Sequence, residues 1–475
     1  MNNKKNRPTL STYNLPFDSN DHVQFSFSNV IVETVSLDTK EAKKELRISI
    51  QEEVEIFDSA SESARYSRPK LLVALGVLSF VSGRDFSVYE VTSSSSSVLA
   101  CKKSLELAEV KCSFDGVDYS KELEIICSSI NDETYSQNTL LFSLLDRWRK
   151  AQHQLIESDG QGLFEDESLL SFFHILELLV SEYQDKQKAE AQEKITFFLN
   201  DLMSTTFKYR GPSLDGKVNE KNKVLKDVLL SGDLMSVGSR INYMFEQLGL
   251  LDERVQYLLQ ELIEARNSIA HGRQVFRDRL IWPLPPFFML HANHFNLGYF
   301  IYVLTARSIS CHYKLDLWRD EWAEILNTLS PPLDVVRAFL KNKSYQGLST
   351  EGFCQGDIDR VTPASIIDAY IKRKVKLLDI ENSFSKLLQD INPLDESIAG
   401  IGEPLYIFIF MADSENIELA KFCRESIQSI YDNRTFSMSN IKDYLRFLEH
   451  YNIKLNWFRE WIVEGMVNES EKGNA

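Results

Sequence analysis

Residues 251–273 read LDERVQYLLQELIEARNSIAHGR, and the fold class turns on this stretch. Apolar residues recur at Val255, Leu258, Leu259, Leu262 and Ile269, which are helical steps of three, four and seven. Asp252 and Glu253 open the stretch, where the helix dipole favours negative charge. Gly272 closes it, where a left-handed C′ residue is expected. One amphipathic helix follows from this pattern. Arg266 lies four residues after Leu262 and three before Ile269, so it continues the apolar stripe. A guanidinium turned inward needs an anionic partner. His271 falls in the last turn, one helical step from Asn267, where the dipole favours a cationic side chain.

Further helices flank this one. Residues 139–153 carry Leu140, Leu141, Leu144, Leu145 and Trp148 at helical spacing. Residues 165–183 open on an acidic turn with Ser168 and continue with apolar residues all round, as in a central bundle helix. Glu177 interrupts that apolar run. His174, on the same helix, reads as a packed core histidine. A separate helix is expected over 189–203, then a polar connection that contains Gly211-Pro-Ser-Leu-Asp-Gly216-Lys217. This matches G-x-x-x-x-G-K, but Val218 stands where a P-loop needs Ser or Thr, and no strand precedes it. It reads instead as a mobile basic loop, with Lys208, Arg210, Lys217, Lys221, Lys223 and Lys226 available to phosphates.

Residues 1–135 are expected to form an α+β domain of recognition or regulatory role. HVQFSF and ELRISI alternate, with Val23, Phe25, Phe27 and Leu46, Ile48, Ile50 on single faces. Short strands are also expected at 86–91 and 105–110, a buried helix at 68–83 ending at Gly83, and a surface loop over Ser93 to Ser97. Residues 316–475 read as a C-terminal helical domain. Thr362-Pro363 starts a helix carrying Lys372, Arg373, Lys374 and Lys376, which reads as a solvated basic face. Leu405 to Met411 should be buried, and the aromatic run Tyr444, Phe447, Tyr451, Trp457, Phe458 and Trp461 suggests packing or a partner surface.

Composition narrows the function classes. The 475 residues are 43% hydrophobic with a net charge of −16, enough apolar content for packed cores and too acidic for a general nucleic-acid coat. Residues 205–280 hold 12 Lys+Arg against 10 Asp+Glu, a local reversal that leaves room for an RNA-contacting patch. Cys101, Cys112, Cys127, Cys311, Cys354 and Cys423 form no C-x-x-C pair, which argues against a zinc ribbon or a disulfide framework. His291 and His294 stand three apart without a carboxylate or thiol partner and read as packing or surface residues, so no metal or cofactor is expected. The polar N-terminus and the lack of an ~18-residue apolar run point to a protein of the reducing cytoplasm, with no membrane association.

Arg266-Asn267-Ser268-Ile269-Ala270-His271 resembles the R-x4–6-H signature of HEPN ribonucleases, including the polar residue directly after the Arg. The resemblance covers roughly residues 136–315 and is sharp only at 266–271. It implies a HEPN-like helical nuclease domain over 136–315, which together with the β-containing N-terminal region and the C-terminal helical region makes a mainly α protein. HEPN ribonucleases are metal-independent endoribonucleases whose site is shared by two chains. The resemblance therefore implies RNA as substrate (tRNA among the candidates), a homodimer or larger even assembly, and Arg266, Asn267 and His271 as catalytic residues. The ApeA-like branch, which carries a Glu near the basic motif, implies a supporting role for Glu177 and a place in abortive-infection defence released by a phage-derived trigger. Arg273, Arg277 and Arg279 crowd the exit from His271 and, with Lys208, Arg210 and Lys217, are the expected RNA contacts. The alternative is a non-catalytic HEPN-like module that binds RNA or a protein.

Overall fold

The computed structural model describes residues 6–463 except 19, 37–43, 57–58, 60–61, 103, 106, 108, 137–138, 159–164, 231–235, 272–296, 330, 389–402, 434–444, 446–447 and 450. Internal contacts divide the chain into two compact units: Met1–Leu251 with Leu259–Gly272 and Leu297–Ala323, and Asp252–Leu258 with Arg273–Asn296 and Glu324–Ala475. The sheet expected over 1–135 and the helices of 136–315 that precede Leu251 therefore fall in one unit.

The first unit opens on a seven-stranded antiparallel sheet in the order β5-β1-β4-β3-β2-β6-β7. Its long strands are β1 (Asn6–Phe17), β2 (His22–Phe27), β3 (Val30–Ser36) and β4 (Lys44–Glu55). The alternating stretches form β2 and β4, with Val23, Phe25, Phe27, Leu46, Ile48 and Ile50 almost wholly buried. Ser28 and Asn29 take positive φ in the two-residue β2–β3 turn, the geometry that matches strand twist. Strand β1 has no comparable hydrophobic signature. Its buried face is Thr9, Ser11, Tyr13 and Leu15, and hydroxyls satisfy it. Tyr13 meets Ser67 at 2.8 Å, and Ser11 meets Ser63 at 3.1 Å and Ser96 at 3.0 Å.

Three expectations for this region are corrected. Ser93–Val98 is not a loop but edge strand β5, held by its backbone register on β1 and by Asn14 donating to Ser93 at 2.9 Å. Residues 88–90 form a 3₁₀ turn capped by Ser87 rather than a strand; after β5 the next strand is β6 (Lys111–Phe114), and the described residues of 105–110 are not in a strand. The β6 strand turns through Asp115-Gly116, both at positive φ, into β7 (Val117–Asp118).

Helix α1 (Ser63–Ser82) lies between the sheet and the bundle and ends on left-handed Gly83, as its sequence predicts. It packs against α3 (Leu140–Ser158) so closely that a Cβ at Gly76 would stand 2.8 Å from the Leu145 carbonyl oxygen. Helix α2 (Ser120–Ser136) covers β2 and β6. The expected helices over 165–183 and 189–203 are one continuous helix, α4 (Glu165–Asp201), which ends in a π-helical turn at Leu202–Thr206. Nothing in the intervening QDKQKAEAQEK breaks a helix, so the polar segment marks a solvated stretch and not a connection. His174 is exposed on α4 while Phe172, Phe173, Ile175 and Leu176 are buried, so the expected core histidine is a surface residue. The G-x-x-x-x-G-K segment is likewise no loop: Gly211 and Pro212 start α5 (Pro212–Leu229), which folds back on α4. Helices α6 (Val237–Leu248) and α8 (Leu297–His312) also pack on α4. Trp148, Phe172, Tyr302 and Trp318 form the aromatic centre, with Trp148 and Tyr302 stacked at 4.7 Å.

The second unit is helical among its described residues. Its core joins α10 (Leu333–Lys341), α12 (Pro363–Ile371), α13 (Leu377–Leu388), α14 (Glu403–Met411) and α15 (Ile417–Asp432). Between α8 and α12 run α9 (Arg319–Thr328) and α11 (Thr350–Gln355). Thr362 and Ser365 cap α12 reciprocally and Pro363 sits in its first turn, as expected. The basic run does not ride on that helix: α12 ends at Ile371, Lys372 bonds back to Asp368 at 3.0 Å, and Arg373 takes φ 56°. Ile407 to Met411 are buried as their apolar run predicts. Phe458 is buried, and the half-buried Trp457 and Trp461 stack at 6.1 Å against the same core, which is the packing expected of them. Tyr444 and Phe447 lie outside the described residues. Among the described residues no helix is long and apolar enough to cross a membrane.

Candidate functional site

The helix read from residues 251–273 is α7 (Glu253–Ala270). Asp252 accepts from the Arg254 backbone N–H at 2.8 Å and from its guanidinium at the same distance, which holds the Asp252 carboxyl below its usual value. Val255, Leu259, Leu262 and Ile263 form the buried stripe, and Arg266 continues it.

Arg266 finds its anion on α4. Its Nη2 donates to Glu177 Oε1 at 2.6 Å and its Nη1 to Asn267 Oδ1 at 3.0 Å. The two side chains are 23% and 30% exposed, so the pair is shielded without being sealed. Arg266 Nε is buried and has no acceptor among the described residues. His271 follows the last helical residue and is exposed, and its N–H still bonds to the Asn267 carbonyl at 3.1 Å. Asn267 therefore touches both ends of the motif: its amide oxygen receives the guanidinium and its carbonyl anchors the histidine backbone. The chemistry on offer is a guanidinium engaged by a carboxylate and an amide, and an accessible imidazole five residues further along the chain.

Of the remaining expected RNA contacts, only Lys208, Arg210 and Lys217 fall among the described residues. Arg273, Arg277 and Arg279 lie outside the described residues, as do Gly272, His291 and His294. Lys208 and Arg210 are exposed beyond the far end of α4. An uninterrupted helix rises about 1.5 Å per residue, which puts the end of α4 that precedes them roughly 36 Å along the axis from Glu177. They do not sit beside Arg266, contrary to expectation, because α4 continues without a break where two helices were expected. Lys217 lies on α5 and bonds to Glu220 at 2.8 Å. Lys221 bonds to the same carboxylate at 2.9 Å, and the two ammonium groups lower Glu220 to about 2.

One further pair of chemistry-bearing residues carries no sequence signal. His153 Nδ1 on α3 meets Asp85 Oδ2 at 2.6 Å, in the turn after α1. The exposed Tyr89 ring lies 6.3 Å from the imidazole, and burial raises the nearby Glu90 carboxyl. The 68 residues between His153 and Asp85 hid this contact, and no motif spans them. Comparison of the chain with protein-family models, curated proteins and solved structures finds no match.

Proposed function

We propose that the chain is a metal-independent endoribonuclease of the HEPN type that cleaves RNA through Arg266, Asn267 and His271. The observation that carries this reading is the orientation of Arg266 by Glu177 and Asn267 beside an accessible His271. RNA transesterification needs a proton taken from the 2′-OH and one given to the leaving 5′-oxygen, and imidazoles do both near neutral pH. Arg266 neutralises charge building on the phosphorane. Glu177 is a positioning residue that keeps the guanidinium plane fixed. One chain offers a single such pair, so acid and base come from two chains in a homodimer. Lys208 and Arg210 then contact the strand several nucleotides from the scissile phosphate. DNA resists because it lacks the nucleophile. A role in abortive infection, with tRNA among the substrates and a phage-derived trigger, rests on the resemblance alone.

Incubating the pure protein with total RNA in EDTA and mapping the ends tests the chemistry. The expected ends are 2′,3′-cyclic phosphate and 5′-hydroxyl, and His271→Ala abolishes them with an unchanged melting temperature because the side chain is exposed. Cleavage by purified His271→Ala at the parental rate sinks the catalytic reading. Light scattering checks assembly, and a fully active monomer would remove the two-chain site. The second reading, a non-catalytic RNA- or protein-binding module, is favoured by one observation: Arg266 already has an anionic partner at 2.6 Å, as a purely structural pair would.

A further inference from the structure

A cavity of about 500 Å³ lies in the first unit, where the end of α1, the β7–α2 junction, α8 and the Asp316–Glu321 turn meet. Its volume falls in the range of small-molecule sites. It shares no residue with the Arg266 site.

Its lining combines aromatic rings with uncompensated negative charge. Tyr119, Tyr299, Tyr302 and Trp318 supply the rings. Tyr302 lies 6.0 Å from Tyr299 in a stacked pair and 5.2 Å from Trp318, edge-on at 89°. Asp118, Glu122, Asp316, Asp320 and Glu321 supply five carboxylates against one guanidinium, Arg319. Arg319 engages Asp316 at 3.2 Å and Asp320 at 3.3 Å, and Asp118 accepts from the Ser120 N–H and hydroxyl. Glu122 and Glu321 have no cationic partner among the described residues. Burial holds the Tyr119 phenol above its ordinary value, and the Glu321 charge adds to this.

The wall is built rather than accidental. Trp318 takes φ 61°, a left-handed conformation that a bulky residue adopts only when its surroundings enforce it. Its indole N–H donates to the Phe80 carbonyl at 3.1 Å. Arg307 clamps the preceding Leu317 carbonyl at 2.8 Å. Gln152 ties the floor together by donating to the Gly83 carbonyl at 2.6 Å and to the Tyr302 hydroxyl at 3.2 Å. A Cβ at Gly83 would stand 3.3 Å from the indole ring, so a side chain there would press on the wall.

We propose that this cavity binds a small aliphatic polyamine. Ammonium groups find the bare carboxylates Glu122 and Glu321 and the faces of the rings, and methylene spacers lie along the apolar aromatic surface. Anions are repelled by the lining charge. A strongly hydrated inorganic cation uses the carboxylates but gains nothing from the rings.

Titration calorimetry of the full-length protein with spermidine, without RNA, tests this. The expected result is saturable binding of one spermidine per chain. Glu122→Gln with Glu321→Gln should weaken it by roughly tenfold or more, since charge-assisted hydrogen bonds are lost. Tyr299→Ala, at a residue 43% exposed, should weaken it by about two- to tenfold while the chain stays folded. Circular dichroism of each variant confirms the fold. No binding at millimolar spermidine, binding that these variants leave unchanged, or equal competition by Mg²⁺ overturns the proposal.

Discussion

Replacing Arg266 by Lys separates a catalytic guanidinium from a structural one. The Arg266–Glu177 pair is 2.6 Å long with side chains 23% and 30% exposed. Exposed pairs contribute about 0–1 kcal/mol, whereas removing one partner of a fully buried pair costs about 3–5 kcal/mol. Three-quarters shielding places Arg266→Ala between these limits, at about 1–3 kcal/mol. Lys keeps the charge and one contact to Glu177 but cannot also reach Asn267 in the same plane, so Arg266→Lys should cost only about 0.5–1.5 kcal/mol, the value of one hydrogen bond. In a unit of this size each kcal/mol lowers the melting temperature by about 2–4 °C. Against a total stability of about 5–15 kcal/mol, the folded fraction stays near one. Losing one donor to a transition-state oxyanion costs about 100- to 1000-fold in rate. Arg266→Lys should therefore melt within a few degrees of the parent, dimerise, bind RNA and be nearly inactive. Glu177→Gln keeps an acceptor for the guanidinium and should show an intermediate loss. Thermal melting and gel cleavage on one preparation decide the matter. A folded Arg266→Lys that cleaves at the parental rate refutes the reasoning, as does an Arg266→Ala whose activity merely follows its folded fraction.

Other perturbations probe the scaffold. Gly76→Val places a branched side chain where a Cβ already stands 2.8 Å from the Leu145 carbonyl, so it should destabilise by about 1–3 kcal/mol in denaturant unfolding; an unchanged midpoint would show that α1 and α3 do not pack this closely. His312 Nδ1 and the Tyr183 hydroxyl share a hydrogen bond at 2.8 Å, and burial lowers the His312 pKa against the opposing pull of Glu182. A lowered value means that the unfolded chain takes up the proton first, so stability is full above 6.5 and is lost as pH falls through the folded value. Melting temperature should drop on mild acidification, with a shallower slope in His312→Gln; an identical slope in that variant would assign the acid sensitivity elsewhere.

Periodicity in the chain was enough to determine α7 and its inward Arg266, the β2 and β4 faces, the Gly83 stop of α1 and the Thr362 cap. Each depends on residues within a few positions of one another, where spacing translates directly into a face or a terminus. The Asp115-Gly116 turn is also local, whereas the hydroxyl face of β1 is not: Thr9, Ser11 and Tyr13 are buried because partners on other elements satisfy them. Tertiary structure alone decided the rest. The serines of β5 form a strand because β1 offers a free edge, and not because serine favours one. The continuity of α4 moved Lys208 and Arg210 away from Arg266, an outcome set by a polar segment that was free to be helical. Arg266 needed an anion by its own local pattern, but Glu177 meets it across 89 residues only because the fold brings that point of α4 within reach of the guanidinium on α7. The aromatic, acidic cavity gathers four segments of chain, and long-range packing of that kind has no counterpart in local order.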